Sequence, residues 1–411
     1  MLTAEQISLV KSTLPLLSEA GRDVTDYFYN RMFNQHPELK NIFNMSNQRS
    51  GRQPLALFNA LAAYATHIDN LPVLQQAVER IAQKHASMDI QPEQYDIVGH
   101  HLIETLKELA PNEFTPDVED AWRAAYQQLA SVFIQREKQI YDHNAQQTGG
   151  WRGARNFRLL EKHVESELVT SLILAPVDDS AIASFQPGQY IGVRIETPQG
   201  EYDRAIRQYS ISDKPNGSTY RISVKREAIS DNSQSPGLVS NYLHDQLNPG
   251  DEIELFAPTG EFFLQPSERP IVLISAGVGL TPMMSMLETL ADQKTTQPVF
   301  WLHACENQQQ HSFQRRIHEL SECLSLQQYT WYNQQTSATE AMNNSTGRAC
   351  YNAGLMNLEP LREQLPVTTG DFYLCGPIGF MQFAYRQLLQ LGVSQEHIYY
   401  ETFGPHQTLD S

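Results

Sequence analysis

The chain has 411 residues, 41% of them apolar and 19% charged, which suits two or three globular domains and excludes collagen, coiled coil and extended disorder for most of its length. A formal charge of −17 argues against nucleic acid or an anionic membrane surface as the main partner. Residues 1–6 lack the basic-then-apolar pattern of an export signal, no apolar run approaches the ~20 residues of a membrane span, and cysteines 305, 323, 350 and 375 form no Cys-x-x-Cys pair, as expected in a reducing cytoplasm.

Residues 1–142 carry a helical pattern with almost no strand signal. Leu74, Val78, Ile81 and His85 share one helical face, as do Val98, Leu102, Leu106 and Leu109, and Trp122, Tyr126, Leu129 and Phe133. Prolines 37, 72, 92, 111 and 116 divide this region into six to eight expected helices. Residues 143–153, polar and bearing Gly149, Gly150 and Gly153, read as a linker. From 154 to 266 apolar residues alternate with period two. Segments 168–177, 189–197, 209–213 and 219–226 read as strands of an antiparallel barrel or sandwich, with one helix at 240–245. From 267 to 411, short apolar strands at 270–274, 299–303, 329–332 and 372–375 alternate with helices, one of them starting at Pro282, which predicts an α/β domain with a parallel sheet. Gln/Asn-rich tracts at 307–310 and 333–345 read as surface insertions.

Several short segments could carry chemistry. Ser275-Ala276-Gly277-Val278-Gly279-Leu280-Thr281-Pro282 follows a strand and opens a helix. Its glycines let backbone N–H groups approach a pyrophosphate, and the helix N-terminus adds partial positive charge, although alone it could equally be a tight turn. Arg207-Gln208-Tyr209-Ser210 offers a cation for phosphate, a ring for stacking on a flat heterocycle and a hydroxyl for a ring nitrogen; alone it reads as an edge strand. Pro236-Gly237-Leu238-Val239-Ser240 opens another helix. Tyr373-Leu374-Cys375-Gly376-Pro377 ends a strand beside a turn, and Tyr400-Glu401-Thr402-Phe403-Gly404-Pro405 lies near the C-terminus. His85, on an apolar stripe, has the ordinary reading of a satisfied core histidine, and Tyr29 that of a core tyrosine.

The order and spacing of these segments resemble the ferredoxin–NADP reductase superfamily, with Ala276 where a glycine is often found. The stretches Asn30-Arg31-Met32-Phe33, Pro37-Glu38-Leu39 and Phe43-Asn44-Met45 resemble the globin domain of bacterial flavohaemoglobins, and the whole chain is identified as a member of that family. The resemblance implies an all-α globin domain, an antiparallel β-barrel FAD domain and an α/β NAD(P)-binding domain, with haem b, FAD and NAD(P)H as cofactors. It makes His85 the proximal iron ligand, hydrogen-bonded to Tyr95 and Glu137. Tyr29, Phe43, Gln53 and Leu57 would line the gas pocket; Gln53, Leu57 and Leu61 share a helical face. Lys84 and Glu401 would tune the haem and flavin potentials. FAD would be held by Tyr190, Arg207, Gln208, Tyr209, Ser210, Gly237, Ser240, Thr402, Phe403, Gly404 and Pro405, with Phe403 over the flavin until nicotinamide displaces it. The nucleotide would lie on Gly277, Val278, Gly279, Leu280, Thr281 and Pro282, with Cys375, Gly376 and Pro377 at the hydride-transfer site.

The implied activity is nitric oxide dioxygenation by a cytoplasmic monomer, with O2, NO and NAD(P)H as small-molecule partners. Glu306 favours NADH through free ribose hydroxyls, whereas Arg315 and Arg316 favour NADPH. Insertions near 229–235 and 307–345 depart from the family pattern without touching the motif residues. Two other readings stand beside this one. A sensor or carrier globin would ordinarily be joined to a signalling domain rather than a reductase. A reductase with a merely structural helical domain would show flavin bands and no Soret band.

Overall fold

Capping and proline signals set the helices of the N-terminal third. In the computed structural model, which describes residues 2–18, 22–45, 52–197, 203–227, 237–334, 349–404 and 409 (the side chains of 17, 18, 22, 23 and 52–55 excepted), α1 spans Ala4–Ser12. Thr3 opens it with a capping box, its hydroxyl accepting from the Gln6 amide and the Gln6 side chain accepting from Thr3 N. Then follow α2 (Leu14–Ser18), α3 (Arg22–Gln35), α4 (Arg52–Thr66), α5 (Gln75–Ala86), α6 (Pro92–Leu109) and α7 (Pro116–Gln146). Pro92 and Pro116 occupy first turns, where a missing N–H is harmless. The core is built on Phe28, Phe58, Tyr64 and Trp122, and the Trp122 indole donates to Thr13 Oγ1 at 3.0 Å. Helix α7 continues to Gln146, into the segment expected as a linker, because Ile140, Tyr141 and Asn144 keep one face buried.

The next strands are β1 (Arg155–Val164), β2 (Val169–Pro176), β3 (Tyr190–Glu196), β4 (Arg204–Ser210), β5 (Tyr220–Lys225) and β6 (Glu252–Leu255), with α8 at Leu238–Asp245. They form one sheet in the order β4-β3-β6-β1-β2-β5, antiparallel at β1/β2, β2/β5 and β3/β6. The strand expected at 209–213 lies instead at Arg204–Ser210. β1 was not expected because a register shift between Leu159 and Glu161 breaks its alternation. β6 is too short for a periodic signal.

The last region contains β7 (Ile271–Ala276), α9 (Leu280–Asp292), β8 (Val299–Cys305), α10 (Gln314–Leu320), β9 (Leu326–Tyr332), β10 (Ala349–Ala353), β11 (Asp371–Cys375), α11 (Ile378–Leu391) and β12 (Ile398–Glu401). The sheet order is β10-β9-β8-β7-β11-β12, and every pairing is parallel. β7 and β11 are buried along their whole length, as unbroken apolar runs require. The edge strands β10 and β12 are half-exposed and too weakly apolar to be read from sequence. Helix α9 starts at Leu280, ahead of Pro282, after a 3-10 turn at Gly277–Gly279. The tract at 307–310 includes a 3-10 turn, Gln308–Gln310, while 229–235 and most of 333–345 lie outside the described residues.

By its contacts the chain divides into two compact units, residues 1–155 with 192–207 and 254–261, and residues 156–191 with 208–253 and 262–411. Within the first unit, Arg80 pairs with Glu261 at 2.8 Å, Gly260 N donates to Gln83 Oε1 at 3.0 Å, and Asn144 donates to the Pro258 carbonyl at 3.2 Å. Gly192 runs so close to the end of α5 that a Cβ there would stand 1.9 Å from the Ser87 carbonyl oxygen and 2.9 Å from the Phe256 ring. Gly192→Ala must therefore push backbone from backbone, at a cost of about 1–3 kcal/mol. A lowered denaturation midpoint is expected; an unchanged one would mean that this contact yields freely.

Candidate functional site

Three helices converge on His85. It sits in the last turn of α5, and its Nδ1 lies 2.8 Å from the Tyr95 hydroxyl of α6 and 2.8 Å from Glu137 Oε1 of α7. Tyr95 also donates to the Glu137 carboxylate. Burial, followed by the charge of Glu137, raises the Tyr95 pKa well above the usual phenol value, so it remains a donor. Glu137 is buried, and a buried carboxylate requires donors; here the phenol and the imidazole N–H supply them. Donation from Nδ1–H to Glu137 fixes the ring tautomer and leaves the lone pair on Nε2. Phe133 backs the group, 6.0 Å from the His85 ring and stacked on Tyr95 at 6.2 Å. Among the described residues no three His, Cys, Asp or Glu side chains cluster to hold a bare metal ion. A single imidazole nitrogen whose ring partner nitrogen is hydrogen-bonded fits the donor that a haem iron takes.

A second group is aromatic. The Tyr29 ring lies 5.8 Å from both Phe33 and Phe43, and Phe33 lies 5.4 Å from Phe43. Leu57 of α4 is half-buried and packs on the same core. The side chain of Gln53 lies outside the described residues. Lys84 is half-buried beside His85, and its carbonyl accepts from Ser87 Oγ at 2.6 Å.

The end of β4 presents Arg207, Gln208 and Tyr209 half-buried and Ser210 buried, and Tyr190 opens β3. Arg207 Nη1 donates to the Ile206 carbonyl at 2.7 Å. Gly237 caps α8; a Cβ there would meet Ser240 Oγ at 2.6 Å and Glu227 Cβ at 2.8 Å. A guanidinium and an aromatic ring at one strand end are groups that an anionic flavin nucleotide takes. After β12 come Thr402, the Phe403 ring at 49% exposure and Gly404 at φ +126°, while Pro405 lies outside the described residues.

In the parallel sheet, two segments far apart in sequence meet. Cys375 ends β11 in register with Ser275 of β7 and Glu401 of β12. A Cβ on Gly279 would stand 2.3 Å from the Cys375 carbonyl oxygen and 2.7 Å from Gly376 Cα, so only glycine permits the approach. Gly277 has φ +53°, and Thr281 Oγ1 donates to the Val278 carbonyl at 3.0 Å. Thus Gly277, Val278, Gly279, Leu280, Thr281 and Pro282 adjoin Cys375, Gly376 and Pro377, the cap of α11, at the carboxyl ends of parallel strands, where open sheets bind nucleotides. Burial and then Glu401 raise the Cys375 thiol pKa well above the usual range.

Sequence reasoning missed a polar row at the same edge: Ser275, His303, His311 and Tyr332. No spacing signal separates these two histidines from the other eleven. Nearby, Asn333 donates to both Glu306 oxygens at 3.2 Å. Arg316 is bonded to both Glu288 oxygens at 2.8 Å, and Arg315 to Glu319 at 2.9 Å.

Residues 26–133 match the Globin family model, 156–264 the oxidoreductase FAD-binding domain and 273–386 the oxidoreductase NAD-binding domain. A flavohaemoprotein of Vibrio cholerae is 53% identical over 409 residues, with 100% of each chain covered. The crystal structure of a Malassezia yamatoensis flavohaemoglobin with bound FAD and haem matches at a TM-score of 0.83 and 26% identity, over 98% of this chain and 100% of that one. The FAD/NAD-binding domain of a Vibrio cholerae nitric oxide dioxygenase matches at 0.55 and 46%, over 62% of this chain and 100% of that one.

The thiols differ in environment. Cys323 and Cys350 are exposed, Cys375 is buried, and burial pushes the Cys305 pKa up to about 12. At neutral pH a thiol reagent should label Cys323 and Cys350 quickly, and Cys305 and Cys375 only after unfolding. Rapid native labelling of Cys375, read by peptide mapping, would contradict this burial.

Proposed function

Since the chain belongs to the flavohaemoprotein family, we propose that it is a nitric oxide dioxygenase that draws electrons from NADH and removes nitric oxide as nitrate in the cytoplasm. The observation that carries this reading is the half-buried His85 hydrogen-bonded to the buried Tyr95 and Glu137, in a chain that also folds a flavin-type and a nucleotide-type sheet. When bound, haem supplies the iron at which dioxygen and nitric oxide combine into nitrate, and FAD accepts a hydride and passes electrons on singly.

The chain's own residues have distinct tasks. His85 would hold the haem iron through Nε2, and Glu137, by accepting a hydrogen bond from Nδ1–H, would make the imidazole a stronger donor. Tyr95 keeps that carboxylate satisfied. The Tyr29 hydroxyl would donate to negatively charged oxygen bound there, with Phe43, Gln53 and Leu57 lining the pocket. Lys84 and Glu401 bias the haem and flavin potentials by charge. Arg207 pairs with the FAD phosphate, Tyr209 stacks on the flavin, and Ser210 bonds a ring atom; Tyr190, Gln208, Gly237, Ser240, Thr402, Phe403, Gly404 and Pro405 complete that site. The glycine turn and the start of α9 receive the pyrophosphate of the nicotinamide nucleotide, and Cys375, a neutral thiol, lies with Gly376 and Pro377 beside the hydride path. Preference for NADH rests on Glu306 as acceptor for ribose hydroxyls, and on Arg316 being held on both oxygens of the buried Glu288 rather than offered to a 2′-phosphate.

The purified chain should show a Soret band and flavin absorption, and with NADH and O2 should turn nitric oxide into nitrate. His85→Ala should lose the Soret band and nitric oxide consumption while keeping FAD. A His85→Ala protein with both intact would refute the ligand assignment. Arg207→Ala should weaken FAD binding about tenfold or more, the effect of losing one charge-assisted hydrogen bond. Its haem should then be reduced by dithionite but poorly by NADH; wild-type FAD affinity by fluorescence titration would rule the contact out.

A further inference from the structure

The parallel sheet holds a buried polar assembly that the reading above leaves without a task. His303 on β8 is the register neighbour of Ser275 on β7, and its Nδ1 lies 2.9 Å from Ser275 Oγ. His311 comes next, just after the turn Gln308–Gln310, with its ring stacked on His303 at 5.4 Å between centroids and 28° between planes. Its Nδ1 lies 2.9 Å from the hydroxyl of Tyr332, the last residue of β9. The Tyr332 ring stacks in turn on Tyr351 of β10 at 6.0 Å. The side chains thus tie together the carboxyl ends of β7, β8 and β9.

Two nucleotide-facing features hang from this tie. The glycine turn begins two residues after Ser275, and Glu306 follows His303 by three. Glu306 is itself bracketed to the end of β9, since Asn333 Nδ2 bonds its carboxylate and its carbonyl accepts from Gln334 N at 2.8 Å. The 3-10 turn at Gly277–Gly279 packs against both β7 and β8. His303 is fully buried with no partner for Nε2 among the described residues, an arrangement that burial of a polar group disfavours. Burial also holds both rings neutral, with the His303 pKa well below its usual value and that of His311 down to about 4, so the stacked pair is free of mutual repulsion at neutral pH.

We propose that His303 and His311 are positioning residues for the nicotinamide nucleotide, fixing the glycine turn against Glu306 and thereby setting affinity for NADH and its choice over NADPH, without entering hydride transfer. This rests on the reading that the sheet edge binds NADH.

The test uses the full chain with haem and FAD. His303→Leu removes the Ser275 contact, His303→Asn keeps a polar atom where Nδ1 was, and Tyr332→Phe removes only the hydroxyl that His311 meets. His303→Leu and Tyr332→Phe should raise the KM for NADH and the Kd for NAD+, measured by calorimetry, about three- to tenfold, the worth of one hydrogen bond. kcat should stay near wild type, the NADH:NADPH ratio of kcat/KM should fall, and His303→Asn should recover most of the loss. FAD content and the dithionite-reduced haem spectrum report that each variant is folded; if His303→Leu is not, Tyr332→Phe decides alone. Unchanged KM, Kd and coenzyme ratio in Tyr332→Phe, or a loss confined to kcat, would overturn the proposal. A wild-type chain that does not oxidise NADH would instead overturn the functional reading on which it rests.

Discussion

A carboxylate removed from water must be given hydrogen-bond donors, and in the helical unit that requirement organises everything around Glu137. The nearest donors are the Tyr95 hydroxyl and the His85 imidazole, carried by two different helices. Satisfying one buried charge therefore pins α5, α6 and α7 at a single point. It also selects the His85 tautomer, since a carboxylate accepts only from an N–H, and so leaves the lone pair on Nε2. Structure and chemistry here share one cause: the bond that stops Glu137 from destabilising the core is the bond that prepares the histidine.

The second unit meets the same constraint differently. Its parallel sheet is apolar through β7 and β11, and polar side chains gather where those strands end. At those ends the backbone comes unusually close to itself, with Gly279 against the carbonyl of Cys375. The missing side chain at Gly279 permits that approach, and the glycine turn leaves backbone N–H groups open to an anion. The neighbouring arginines illustrate how partners decide availability. Arg316 is two-pronged on the buried Glu288, which binds its guanidinium to the core instead of offering it to a ligand.

Much of this was legible in the residues. The three textures, helical, alternating and α/β, came from periodicity, because burial on one face repeats at the period of the element that carries it. The glycine turn and the Arg207–Ser210 segment declared themselves through chemistry confined to a few adjacent positions. What misled the reading was also local. The bulge in β1 broke the alternation, β6 was too short to show any, and helix α7 outran a linker that glycine and polar residues had suggested.

By itself the chain's sequence determined the succession of domains, the runs that would be buried, and the short contiguous segments that stand out by their residue types. Only the tertiary structure decided which distant side chains share an environment: Glu137 with His85 and Tyr95, Cys375 with Gly279, and His303 with Ser275 and His311. The physical reason is that periodicity reports only whether a residue faces inward. Whom it meets there depends on how helices cross and strands register, and a buried polar group acquires its role from that meeting.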